Sequence, residues 1–123
     1  MGNRMIREVR DAIVKKLETC EAPWSVYGYK PDDVNDVPCV VVDRPSVDIN
    51  VQHNACTTPV VVIGRRDGSE DAQRELDEVT STVARYIAGP EFAVTRIEPA
   101  TASVAELTFP AYEITVSCGV TTC

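Results

Sequence analysis

Two stretches of the chain repeat apolar residues every three or four positions, which is the spacing of an amphipathic helix. The first stretch carries Ile6, Val9, Ile13 and Leu17 on one side and charged residues on the other. We therefore predict a first helix over this stretch, with Pro23 closing the region that follows it.

The second stretch gives the clearest helical pattern. Its apolar stripe has five members at helical spacing: Ala72, Leu76, Val79, Val83 and Ile87. At its start, Asp67 stands three residues before Glu70, as in a capping box, and Ser69 is the competing N-cap. Gly89 and Pro90 follow the last apolar position and predict the end of the helix.

Shorter apolar segments have the patterns of β-strands. Residues 39–42 and 59–63 are continuous apolar runs, typical of strands covered on both faces, and the second is the better candidate for a central strand. The other candidate strands are aromatic-rich or alternating segments at residues 24–29, 47–52, 92–97, 105–109 and 112–120. Residues 30–38 predict a loop, and residues 53–55 predict a turn.

The order of these elements is helix, strands, helix, strands. This order predicts the α+β class, with a mixed, mostly antiparallel sheet packed by two helices, rather than a doubly wound fold. The last strand alternates apolar and polar residues, as in a sheet with one covered side. At 123 residues, the chain has room for one domain spanning residues 1–123.

The net charge is −7, from 19 acidic and 12 basic residues. Such a balance argues against a nucleic-acid-binding surface, which needs basic residues to neutralise phosphates. No stretch approaches the roughly 20 apolar residues that a bilayer crossing requires, so we predict no membrane contact. Five cysteines, an odd number, argue against a disulfide framework and fit a reducing cytoplasm.

The sequence offers little catalytic chemistry. The one histidine, His53, lies in a polar turn, without a nucleophile motif elsewhere in the chain. His53 and Cys56 could supply zinc ligands with Cys118 and Cys123, but the second pair is too widely spaced for a typical site. The acidic cluster of Asp32, Asp33 and Asp36 lacks the spacing of a calcium loop. We predict no catalytic residue, no metal and no cofactor.

Two surface features remain as candidate interfaces. The alternating segment Val47, Asp48, Ile49, Asn50, Val51 and Gln52 presents one apolar side within a long connection. It and the alternating segment before Pro110 can each add a strand to another chain, the alternative being that both pair internally. Arg65 and Arg66, between a strand and a helix start, form a candidate interface turn; a phosphate site there would need more glycines and a lysine.

The order and texture of these segments resemble the tail terminators, or tail-completion (head-tail joining) proteins, of long-tailed bacteriophages. The resembling parts are the first helix, the strand at 38–42 leading to Arg44 and Pro45, the alternating residues 47–51, the run 60–65 leading into 69–77, and the closing strand 109–116. Together these parts cover most of the chain.

The resemblance implies a hexameric ring that caps the tail tube, ends tube growth and joins the tail to the head connector. It implies a structural viral protein of the virion tail or neck, assembled in the host cytoplasm, with no enzymatic activity and no cofactor. Its partners would be copies of itself, the tail tube protein and the head-tail connector protein. Two alternatives stay open: another phage neck or connector component, or a small-molecule-binding α+β module.

In such a ring the charge has a role. Six copies at −7 each would carry −42, and acidic residues lining the opening would let DNA pass through the lumen without specific binding. We also expect residues 44–58 to form an arm that becomes ordered on contact with a neighbour or with the tube.

Overall fold

The computed structural model describes residues 6–19, 24–28, 38–49, 54–66 and 68–120. Within these ranges, two helices and six strands follow one another as α1 (Ile6–Glu18), β1 (Ser25–Tyr27), β2 (Cys39–Val42), β3 (Ser46–Ile49), β4 (Asn54–Ile63), α2 (Glu70–Ile87), β5 (Ala93–Val104) and β6 (Leu107–Val120). The α+β class is confirmed: the described strands form one mixed, mostly antiparallel sheet, and both helices pack on it.

The strand at the centre of the sheet is β4, as its continuous apolar run predicts. The strands lie in the order β1-β2-β4-β6-β5, and β3 is an additional partner of β4. One side of β4 pairs with β6 along its whole length, whereas the other side is divided between β2 and β3. The β1–β2 pair is parallel, and the other described pairs are antiparallel.

The main core lies between the helices and one face of the sheet. Because side chains alternate along a strand, every second residue of β2, β4 and β6 reaches this face. Its buried members include Val40, Val42, Val60, Val62, Ile114 and Val116 from the strands, with Val9, Ile13, Leu17, Leu76, Val83 and Ile87 from the helices. We call this the covered face.

The N-cap of α2 is Ser69, the competing candidate, and Asp67 lies outside the described residues. The Ser69 Oγ accepts a hydrogen bond from the Ala72 N–H at 3.1 Å. The helix ends at Ile87, and the C-cap is Ala88, one residue before the predicted Gly89.

The buried stripe of α2 contains a residue that its apolar pattern omits. Thr80 is buried and Val79 only partly so. The Thr80 Oγ1 donates to the Leu76 carbonyl at 2.7 Å. That bond within the helix satisfies the hydroxyl and lets it lie in the core.

Three predicted boundaries are wrong. The turn at residues 53–55 is strand from Asn54 onward, and His53 lies outside the described residues. Strand β5 continues to Val104, well past the predicted end at residue 97. Ala105, predicted to belong to an alternating strand, forms the turn between β5 and β6 together with Glu106.

Candidate functional site

The predicted interface segment falls on the edge strand β3. Val47, Asp48 and Ile49 lie in β3, whereas Asn50, Val51 and Gln52 lie outside the described residues. The strand pairs with residues 54–57 of β4 in the same chain. The expected arm at residues 44–58 is therefore wrong for residues 54–58, which belong to the central strand β4 and pair with β6. Internal pairing, the alternative left open by the sequence, therefore occupies one side of β3, and no described strand pairs with its other side.

Backbone alternation along β4 determines which groups of β3 face outward. The Asp43 N–H donates to the Pro59 carbonyl at 2.9 Å, so odd-numbered residues of β4 direct their backbone groups toward β2 and β3. Thr57 and Ala55 continue this alternation and take Ser46 and Asp48 as their partners.

The intervening residues of β3 point the other way. Since Ser46 and Asp48 use their backbone groups inside the sheet, the N–H and C=O of Val47 and Ile49 are directed away from β4. The Val47 side chain packs against the main core cluster, so its orientation is fixed by the fold. This edge offers an ordered set of backbone donors and acceptors to another strand, and we call it the β3 edge.

The opposite edge of the sheet, along β5, is built differently. Pro99 pairs with Tyr112, an even-numbered residue of β6. The Gly64 N–H donates to the Pro110 carbonyl, so even-numbered β6 residues direct their backbone groups toward β4. The nitrogen of Pro99 therefore faces the outer edge, where it removes a donor without breaking the β5–β6 pairing.

Two further features protect the β5 edge. The register with β6 shifts between Val94 and Arg96, which leaves Thr95 as a bulge. Arg96 and Glu98 form an ion pair at 3.0 Å on the same strand. Bulges, prolines and charged residues are the usual means by which proteins prevent strand addition at an edge.

The two arginines of the predicted interface turn make contacts within the chain. The Arg65 Nε donates to Glu75 Oε1 on α2 at 3.0 Å, with both side chains about two-fifths exposed. The Arg66 Nε donates to the Thr108 carbonyl at 3.0 Å, and its guanidinium lies 5.7 Å from the centre of the Phe109 ring. Arg66 thus attaches the β5–β6 hairpin to the end of β4.

That hairpin extends past the end of β4, because β4 pairs only as far as Ala111 of β6. Its tip is a two-residue turn in which Ala105 and Glu106 have φ of 51° and 65°. Such turns favour asparagine and glycine, so the sequence carries no signal for this one. The large apolar side chain next to the tip, Leu107, is 41% exposed.

The face of the sheet away from the helices carries a second, smaller apolar cluster. Its buried members are Cys39, Val41, Ile63, Val104 and Phe109. A groove of about 210 Å³ crosses this helix-free face, lined by Val41, Asp43, Val61, Ile63, Thr101, Ala102, Val104 and Glu113. Since it combines residues of β2 and β4 with residues of the β5–β6 hairpin, no local pattern could have predicted it.

Acidic groups mark the groove and its margin. Asp43 is exposed, Glu113 is half-buried, and neither an arginine nor a lysine is among the described lining residues. Glu113 also pairs directly with Glu98 across the β5–β6 ladder. Like charges facing each other across a ladder are destabilising, and only Glu98 is partly compensated, by Arg96.

The thiols of the described part of the chain lie inside the protein. Cys39 and Cys56 are buried and Cys118 is half-buried, and Cys56 faces Cys118 across the β4–β6 ladder. His53 and Cys123, the other two ligands of the zinc set considered above, lie outside the described residues, as do Asp32, Asp33 and Asp36. Among the residues described, no group of three or more histidine, cysteine or acidic side chains could hold a metal ion.

One titratable contact stands at the margin of the covered face. The pKa of Tyr112 is raised above 10.0, first by burial and then by the charge of Asp77 and its hydrogen bond to the phenol. Asp77, Tyr112 and the 45% exposed Ile97 line a cleft of about 210 Å³ between α2 and the sheet. The phenol therefore stays protonated and donates to the carboxylate.

Neither helix in the described ranges has the length and hydrophobicity needed to cross a lipid bilayer. In comparisons with known proteins, the chain matches no protein-family model and no curated protein.

Proposed function

We propose that this protein is a structural subunit that assembles with copies of itself into a ring, and that the ring caps the tail tube of a long-tailed bacteriophage. The observation that carries the proposal is the contrast between the β5 edge and the β3 edge: β5 is protected by Pro99, a bulge and charges, whereas β3 directs the backbone groups of Val47 and Ile49 outward.

An open edge is a liability in a monomer. Unpaired N–H and C=O groups recruit strands from other chains, which is why edges are commonly protected. A fold that protects β5, and in which no described strand pairs with the outer side of β3, can add a strand at β3 while growth from β5 is prevented. Strand addition of this kind joins subunits through backbone hydrogen bonds, and side-chain pockets supply the specificity.

The resemblance to tail terminators is the basis for proposing where such a ring acts. In that setting the ring is hexameric, ends growth of the tail tube and presents a surface to the head connector. The acidic balance of the chain, −7 per copy, is compatible with DNA passing through the opening without binding.

The test compares two substitutions at one position. Val47→Pro removes the outward N–H of the β3 edge, whereas Val47→Ala keeps this donor and loses more side-chain packing. Electron microscopy and light scattering of the purified protein should show closed rings of one size for the wild type and for Val47→Ala. We expect Val47→Pro to give monomers.

Rings of Val47→Pro indistinguishable from the wild type would exclude the β3 edge as the contact. For the tube-capping role, the purified ring is added to growing tail tubes, whose length should become fixed. Unlimited tube growth in its presence would contradict the tail-terminator function while leaving ring assembly intact. Stabilisation against heat by a metabolite, without rings, would favour the small-molecule-binding alternative.

A further inference from the structure

The groove on the helix-free face lies along the part of β4 that follows its pairing with β3. Asp43, at one end of the groove, follows the last residue of β2 and precedes the short connection into β3. The β3 edge and the groove therefore lie along successive parts of the central strand, with Asp43 between them.

The groove has the character of a site for an apolar side chain next to a cation. Its floor is aliphatic, with Val41, Val61 and Ile63, while Asp43 and Glu113 provide negative charge. The repulsion between Glu113 and Glu98 would be relieved by a positive group placed at Glu113. A partner that brings both an apolar surface and a guanidinium or ammonium group is complementary in shape and charge.

A surface of this kind is present on the outer side of the helix layer. At the C-terminal end of α2, Arg85 is exposed and the adjacent Tyr86 is 44% exposed. The Lys16 Nζ of α1 reaches the Ile87 carbonyl at 3.1 Å, which adds positive charge to the same end. We call Lys16, Arg85 and Tyr86 the α2-end patch.

We infer that the groove of one subunit binds the α2-end patch of a second copy, with Tyr86 over the aliphatic floor and Arg85 at Glu113. The inference rests on the proposed self-assembly and names a second contact between the same two copies, in addition to strand addition at the β3 edge. Groove and patch lie on different surfaces of the subunit, so the contact is head-to-tail. Such contacts generate a ring when the rotation between neighbours closes.

The layered arrangement of helices and sheet also favours a contact between the helix layer of one copy and the helix-free face of another. Each subunit covers one face of its sheet with its own helices, and the described helices leave the other face without a helix. Placing the helix layer of one copy on the helix-free face of the next completes the covering of every sheet in the ring. Apolar surface on both sides is then removed from water.

The experiment is a charge exchange in the full chain. Glu113→Lys and Arg85→Glu should each weaken self-association by about tenfold or more, because each places like charges at the contact. The double variant, with both substitutions, should recover association, since the pair is restored with exchanged signs. Association is measured by analytical ultracentrifugation over a concentration series.

A matched control lies on the same helix. Arg74→Glu changes the same charge about three turns away, at an exposed residue that pairs with Glu70 inside the subunit, and should leave association unchanged. Thermal unfolding of each variant checks that the fold is retained. Glu113→Lys should fold well, because its lysine would face Glu98.

The outcomes separate this inference from the proposed function. The groove contact is wrong if both single variants still form rings like those of the wild type, or if the double variant does not recover association. Neither result bears on the β3 edge, which Val47→Pro tests separately. A wild type that stays monomeric at every concentration overturns both. The contact is supported if each single variant associates more weakly, the double variant recovers association, and Arg74→Glu associates like the wild type.

Discussion

The two faces of the sheet are made of alternate residues of the same strands, yet they differ in what covers them. On the covered face, Val60, Val62 and Ile114 have no exposed surface beneath the helices. On the helix-free face, their sequence neighbours Val61 and Glu113 are half-buried and line a groove. A shift of one residue along a strand thus changes the environment from core to surface.

From this difference we expect the two faces to have different roles, one in stability and the other in association. Burial of large aliphatic side chains stabilises the subunit, and the covered face supplies most of it. The helix-free face keeps like charges opposite each other and an accessible aliphatic groove, neither of which helps an isolated subunit. We therefore expect substitutions on the covered face to change stability and those on the helix-free face to change association.

The largest expected effect is a difference in stability between substitutions at two adjacent residues of β6. Ile114→Ala should lower the free energy of unfolding by about 3 kcal/mol, because it leaves a cavity in the main core. Glu113→Ala, one residue earlier on the helix-free face, should change it by less than about 0.5 kcal/mol. Urea denaturation of both variants measures the difference, and equal losses would contradict the assignment of the faces.

A second substitution on the covered face should increase stability instead of lowering it. Thr58 is 1% exposed, and its Oγ1 has no hydrogen-bond partner in the described structure. Thr58→Val keeps the shape and removes the unsatisfied hydroxyl, so stability should rise by about 1 kcal/mol. Its control is Thr57→Val on the helix-free face; a similar gain from both variants in thermal unfolding would show that the hydroxyl of Thr58 carries no cost.

A smaller effect is expected where the helix-free cluster holds the hairpin. Arg66→Ala removes the hydrogen bond to the Thr108 carbonyl and the contact with the Phe109 ring, at a cost of about 0.5 kcal/mol. Hydrogen exchange should become faster at the hairpin end and stay unchanged in the strands beneath the helices. Arg66→Lys, which keeps a cation near the ring, should show an intermediate rate, and faster exchange throughout the sheet would contradict a local role.

The smallest effect concerns pH at the margin of the covered face. Because the pKa of Tyr112 is raised in the folded protein, the protonated phenol contributes stability below pH 10.0, and this contribution is lost as the pH rises through the folded pKa. Asp77→Asn should lower that pKa but leave the part due to burial. The pKa of Tyr112 is measured by ultraviolet titration, with Tyr112→Phe as the reference that lacks this phenol. An unchanged pKa in Asp77→Asn would exclude the carboxylate as a cause of the shift.

Most of the covered face could be predicted from the sequence, because apolar periodicity reflects burial by neighbouring elements. The pattern identified α2 and the central β4, but it missed Thr80, whose burial depends on a hydrogen bond within the helix. The turn at Ala105 and Glu106 was missed because neither residue has the usual preference for positive φ.

The proposed interaction surfaces were harder to predict from the sequence. The predicted segment did locate the β3 edge, although its outward groups depend on a register set by β4. Pro99, which helps to protect the β5 edge, lies outside the strands predicted from the sequence, so the sequence did not identify that edge. The groove requires four strands to be brought together, which only the tertiary fold provides.

The two-residue turn of the β5–β6 hairpin also bears on the order of folding. Its strands are adjacent in sequence, so they can pair within microseconds of chain collapse. Pairing of β4 with β6, by contrast, has to close a loop that contains the whole of α2 and β5. Loop closure of that kind is the slower, entropically costly step. We therefore expect the rate of folding to depend on when β4 reaches a hairpin that has already formed.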